Sequence, residues 1–194
     1  MKKSLLAVAA AAIAAASCAT FGGGNVDLGG DPMVDNVRQW TRSAKLYRQF
    51  DTTVLVDVTY NSLKLRGQMV DSLAKARRMN ADQVAELIAQ QQAENGRYAQ
   101  FYLAMYTPDS SGGALTRKDP AWLVFVETEK GAVFAESLEK IQPEDIPWGQ
   151  SLPYDPRFRD FYKINIPRKA VKEGPIKLVL SSLMGEVRAT WDTP

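Results

Sequence analysis

The chain has 194 residues, 24 of them Lys or Arg and 22 Asp or Glu, with one cysteine and no histidine. Without histidine no Ser-His-Asp or Cys-His nucleophile system can be assembled, and a His/Cys metal site is excluded on the same ground. A single cysteine forbids a disulfide within the chain, and scattered, nearly balanced charge leaves no electrostatic footprint for nucleic acid.

The first twenty residues have the anatomy of a secretory signal: Lys2 and Lys3 are a positive n-region, Leu5 to Ala16 an apolar h-region, and Ala15-Ala16-Ser17 a small-residue approach to Cys18. The apolar run is twelve residues long, whereas a spanning helix needs about 20. An ordinary cleavage would leave one unpaired thiol in an oxidising compartment. At Ala15-Ala16-Ser17-Cys18 the sequence resembles the lipobox of bacterial lipoprotein precursors, with Ala15 in place of the usual Leu. The resemblance implies a signal peptide over 1–17 and acylation of Cys18, which would become the first residue of the mature chain. Three acyl chains would hold permanently where one holds marginally. Ala19 stands where enterobacterial lipoproteins carry an Asp for inner-membrane retention, so the implied address is the outer membrane, facing the periplasm. Lys2 and Lys3 leave with the signal and no acidic residue precedes Cys18, so the mature chain is formally neutral.

Five glycines between Gly22 and Gly30 predict a flexible leash over 18–36, reaching roughly 20 Å. The folded domain is expected over 37–194, starting near Val37. Thr41 to Phe50 and Thr53 to Thr59 are predicted strands; in the second, Val54, Val56 and Val58 share a face and Asp57 points the other way. The period then becomes helical. Leu65, Met69, Leu73 and Ala76 mark a helix over about 66–79, and Asn80 with Gln83 forms a capping box for a second, with Val84, Leu87 and Ile88 as its buried stripe and Gly96 at its end. Arg97 to Tyr106 returns to strand chemistry, with apolar groups on one face and tyrosines on the other. Pro108 to Gly113 is a loop. Ala121 to Thr128 and Val133 to Leu138 form a hairpin about Lys130-Gly131, and Phe161 to Ile166, Ile176 to Ser182 and Glu186 to Trp191 complete about eight strands. This pattern predicts an immunoglobulin-like or transthyretin-like antiparallel β-sandwich with a two-helix insertion over about 66–95 packed on one end or face. The alternative is an α+β layer in which a curved sheet wraps the helix pair.

Candidate chemistry is sparse. Ser72-Leu-Ala-Lys75 and Ser137-Leu-Glu-Lys140 match Ser-x-x-Lys, but eleven serines and twelve lysines produce such matches by chance, and the Ser-Asp-Asn and Lys-Thr-Gly partners are missing. Glu127 and Glu129 lie on one face of a strand and Glu144-Asp145 in a loop, so a glycosidase-type pair is geometrically possible, but exposed strand faces and loops carry acids for solubility far more often and nothing marks a partner. Asp109, Asp119 and Asp155 lack the spacing of a calcium loop, so no metal or cofactor is expected. The unusual stretch is Pro143 to Pro167, in which Trp148, Tyr154, Arg157, Phe158 and Arg159 interleave with four prolines up to Pro156. These are the residue types of interface hot spots, and the same aromatics could instead plug the open sandwich. Small exported β-sandwich lipoproteins that serve as anchored parts of envelope machines, such as the lipoprotein of type VI secretion, are similar in general plan. The expectation is a non-enzymatic lipoprotein that binds another envelope protein; a glycan or small-ligand binding module and a carboxylate-based cell-wall or polysaccharide hydrolase are the alternatives.

Overall fold

The computed structural model describes residues 30–48, 51–108, 115–171 and 174–192. The signal, Cys18, most of the leash, Asp109 and the loop beyond Pro108 lie outside the described residues. The chain folds as two antiparallel sheets with three helices. One sheet has five strands: β1 (Thr41–Arg48), β2 (Asp51–Tyr60), β3 (Tyr98–Tyr106), β7 (Asp160–Pro167) and β6 (Ser137–Ile141), in that order. The other has four, in the order β5 (Gly131–Phe134), β4 (Leu123–Thr128), β8 (Ile176–Ser182) and β9 (Gly185–Trp191). The sequence is thus mainly β, a sandwich with a helical insertion as expected.

Period-two patterning sets the register. Val54, Val56, Val58 and Tyr60 of β2 are all buried, and β3 places Phe101, Leu103 and Met105 opposite Tyr60, Val58 and Val56. Ile164 and Ile166 of β7 continue this inner face, and Val124, Val126, Leu178, Leu180, Val187 and Trp191 of the smaller sheet meet it in one core. Towards the end where β2 leaves the sheet the core is aromatic. Phe101 lies 5.2 Å from Tyr60 and 5.4 Å from Trp191, ring centre to ring centre. Trp191 Nε1 donates to the Trp40 carbonyl at 2.7 Å, so its polar edge is satisfied without water.

Helix α1 (Pro32–Trp40) starts inside the stretch read as leash. Asp31 accepts from the Met33 amide at 2.9 Å, Pro32 takes the first helical position, and Met33, Val37 and Trp40 are buried. Asp31-Pro32 resembled loop composition and is a helix start. Helix α2 (Leu63–Arg77) begins three residues earlier than the apolar period suggested because Ser62 caps it, accepting from the Leu65 amide at 3.1 Å. It ends at Arg78 in the left-handed region, φ 51°. Helix α3 (Ala81–Arg97) opens on the expected capping box, with Asn80 and Gln83 exchanging bonds of 2.9 and 3.0 Å. Gly96 does not end it. The helix continues through Arg97 directly into β3.

Two expectations fail in detail. Val84 and Leu87 are only partly covered, Ile88 is exposed, and α3 has no buried residue; α2 and α3 pack on each other more than on the core. The predicted strand Val133 to Leu138 is two strands. β5 pairs with β4, and after Ala135-Glu136 the chain crosses to the other sheet, where β6 pairs with β7. Glu136 secures the crossing by donating its amide to the Asn165 carbonyl at 2.9 Å.

Candidate functional site

The outward face of the five-stranded sheet carries Asp57 and Thr59 on β2 and Gln100 and Tyr102 on β3, and most of it is covered from two sides. From one side comes the loop that follows β6. A 3-10 turn, Pro143–Asp145, opens it, with the Asp145 carboxylate accepting from the Gln142 amide at 2.8 Å. The loop then folds tightly. A Cβ on Gly149 would fall 1.9 Å from the Pro143 carbonyl oxygen, so only glycine fits. Ile146 and Trp148 turn inward, and the Trp148 indole meets the Tyr102 ring edge-on at 5.0 Å and 74°. Ser151 donates to the Asp31 carboxylate, tying the loop to the start of α1.

The five residues singled out in this loop separate into two groups. Trp148 is 3% exposed, Tyr154 is half-buried, and Arg159 reaches under the loop to pair with the Asp57 carboxylate, which also accepts from Ser43. The Arg159 guanidinium lies 5.2 Å above the Tyr154 ring, and burial followed by the Asp57 charge raises the Tyr154 hydroxyl well above its ordinary range. Arg157 and Phe158 go outward. Arg157 forms an exposed pair with Asp155 at 2.6 Å, and its side-chain hydrogen bonds lower the Asp155 carboxyl to about 2. Phe158 is 87% exposed and has φ 62°, a conformation that costs a bulky side chain.

From the other side the same face is sealed by a polar network absent from the expectations above. Arg66, placed on α2 one residue after the apolar Leu65, is 1% exposed. Its guanidinium donates to Glu94 at 2.8 Å, Gln91 at 2.7 Å, Gln100 at 3.1 Å and the Asn61 carbonyl at 3.2 Å. Gln100 passes the chain on to Asn165 at 2.9 Å, and Asn165 to Ser137 at 2.8 Å. Burial acts to raise the Glu94 carboxyl, but the hydrogen bond and charge of Arg66, joined by the Gln100 hydrogen bond and the Lys163 charge, outweigh it together and leave the group lowered. The signal that could have found this cluster is the run Asn61-Ser62, Arg66, Glu94 and Gln100: polar groups at positions where the flanking periods are apolar.

The remaining candidates are dispersed. Ser72 and Lys75 are exposed on α2; Ser137 accepts from Asn165, while Lys140 pairs with Asp160 at 2.7 Å. Neither serine thus has a lysine bonded to it. Glu127 and Glu129 border a surface groove of about 540 Å³ whose lining also includes Lys130, Lys169 and Lys177, so these acids face lysines as much as each other. Asp145 is occupied as a cap and Asp155 by Arg157. Among the described residues no cluster of three or more metal-ligating side chains occurs.

The sandwich edges differ in how they are protected. On one side β1 and β9 lie together: Arg42 Nε donates to the Thr190 carbonyl at 3.0 Å, and a Cβ on Gly185 would fall 2.9 Å from Leu46 Cδ2. On the other side β6 and β5 end their sheets. β6 carries Glu139 and Lys140, both exposed. β5 reads Gly-Ala-Val-Phe, without charge, proline or bulge, and Phe134 stands half-exposed against Phe125, 5.6 Å between ring centres. Comparison of the chain with family models, with curated proteins and with solved structures finds no match.

Proposed function

We propose that the chain is a non-enzymatic envelope lipoprotein, anchored through Cys18 and directed to the periplasmic face of the outer membrane, whose sandwich recruits another envelope protein. The supporting observation is β5. It is the one sheet edge among the described residues that has neither a neighbouring strand nor a charged guard, and an exposed aromatic flanks it. Open edges of this kind take an added strand, with backbone bonds supplying affinity and alternate side chains specificity. The partner is therefore an extended segment with apolar residues at every second position, lying along β5 with one of them on Phe134 and Phe125. The absence of histidine from the sequence supports a binding role over hydrolysis.

A photoreactive phenylalanine analogue at Phe134 should yield an adduct in intact envelopes that maps by mass spectrometry to one such segment. Addition of that segment should slow amide exchange in residues 131–134. Ala132→Lys, a charge on the exposed edge, should abolish both effects while leaving the melting temperature unchanged. An adduct that persists in Ala132→Lys, or exchange in β5 that does not slow, would reject strand addition.

A further inference from the structure

Eight large apolar side chains are exposed among the described residues, and they are unevenly placed. Five belong to one end of the sandwich: Tyr47 near the close of β1, Leu123 at the opening of β4, Phe158 just before β7, and Leu183 and Met184 in the β8–β9 turn. The register brings most of them to a common rim. Leu123 is opposite Ser181, Ser182 is opposite Gly185, and the space beside Gly185 is filled by Leu46, the neighbour of Tyr47. Phe158 is two residues from Asp160, which pairs with Met105 near the end of β3 at this same end.

The backbone holds these groups outward. In the β8–β9 turn the Met184 amide donates to Ser182 Oγ at 3.1 Å, and Ser182 Oγ donates to the Gly185 carbonyl at 3.3 Å. Gly185 has φ 141°, and any side chain there would strike Leu46. The turn is thus fixed and Leu183 is fully exposed at its tip. Phe158 is likewise presented by a left-handed backbone, φ 62°. Lys45, two residues before Tyr47, and Glu186, beside Gly185, are exposed at the rim, and Arg117, Lys118 and Asp119 are exposed in the stretch that leads to β4.

We infer that this rim is the surface on which the anchored domain rests against an anionic phospholipid bilayer, with Leu183, Met184, Tyr47 and Phe158 entering the interfacial layer; the inference rests on the anchor at Cys18. Single apolar tips on separate turns form no groove or flush face for a protein, whereas the headgroup layer accepts isolated side chains at shallow depth and favours aromatic and cationic neighbours. The tether permits this orientation. Gly30 follows Cys18 by twelve residues, a stretch that can span at most about 40 Å. The described chain begins beside Asp31, which Ser151 binds over the middle of the five-stranded sheet. Tyr102, on which the loop's Trp148 packs, is opposite Thr59, and Tyr47 at the rim is opposite Thr52; the seven residues of β2 between these levels measure roughly 24 Å, within the reach of the tether.

The test uses the full chain carrying Leu183→Cys, labelled with an environment-sensitive fluorophore and reconstituted through Cys18 into vesicles of phosphatidylethanolamine and phosphatidylglycerol. Expected are a blue shift and loss of emission to nitroxide-bearing lipids at position 183, with water-like, unquenched emission from the same label at Thr190→Cys on the β9 end far from the rim. A water-like emission at 183 in a chain proven to be acylated would overturn the rim assignment while leaving the anchor intact. A blue shift that requires added envelope protein and is absent with lipid alone would assign the rim to a protein and also overturn it. If the chain takes up no acyl group, the anchor reading fails separately, and the labelled chain added to concentrated vesicles decides the rim by the same spectrum.

Discussion

At the end of the sandwich where β2 leaves for α2, the chain buries a charge; at the opposite end it exposes apolar side chains. Arg66 is enclosed by Glu94, Gln91, Gln100 and the Asn61 carbonyl, and the bonds continue through Asn165 to Ser137. Leu183, Phe158 and Tyr47 have no such enclosure. A buried cation tolerates no vacancy among its partners, so the first end is committed to structure. Exposed apolar tips contribute almost nothing to the fold, and the second end is free to contact something else.

The same contrast recurs within ten residues of one loop, and there the largest effect is expected. Trp148→Ala should cost about 3–5 kcal/mol in urea denaturation, since it empties a packed site against Tyr102. Phe158→Ala should fall within about 0.5 kcal/mol of the parent. Phe158→Gly should raise stability by about 1 kcal/mol, by relieving a left-handed aromatic residue. Equal losses at Trp148 and Phe158 would erase the distinction between plug and rim.

Next in size is Arg66→Ala, expected to cost about 3 kcal/mol by the same measurement, because it takes the ion-pair partner from Glu94 and the donors from Gln91 and the Asn61 carbonyl. Ile88→Ala on the exposed side of α3 should change stability by less than about 0.5 kcal/mol. A larger loss at Ile88 than at Arg66 would mean that the helix pair is held by its apolar stripe after all.

The smallest effect depends on pH. The Glu94 carboxyl is lowered from 4.5 in the folded chain, so its contribution is complete above that value and disappears as the pH falls through the lower, folded one. The stability gap between the parent and Glu94→Gln should therefore be widest near neutrality and close in acid. A gap that persists unchanged in acid would show that Glu94 acts only through its hydrogen-bonding shape.

Much of this was legible in the sequence where a period was clean. Val54, Val56 and Val58, the alternation of β3, and the Asn80 capping box each translate directly into local geometry. The failures have physical causes. Composition made Asp31-Pro32 resemble a loop, because the same residues start turns and helices. The run Val133 to Leu138 has apolar groups at both ends, and nothing local reveals that it changes sheets at Ala135-Glu136. Leu87 and Ile88 carry the period of a buried stripe, but period gives the face of a helix and not what covers it. The loop from Pro143 was recognisable as unusual, and Gly149 and Ser151 decide which of its aromatics turn inward through contacts with Pro143 and Asp31. The rim was invisible because its members are far apart in sequence and each, alone, is an ordinary exposed residue.

The Gly-rich stretch after Cys18 and the outward rim have a common purpose only if Cys18 holds the chain to a bilayer. Cells expressing the protein can be supplied with an alkyne-bearing fatty acid and the mature chain examined by intact mass and by its N-terminus. The predicted result is a chain that starts at Cys18 and carries acyl mass and alkyne label, with both lost in Cys18→Ser. A mature chain that starts elsewhere and incorporates no fatty acid would contradict it.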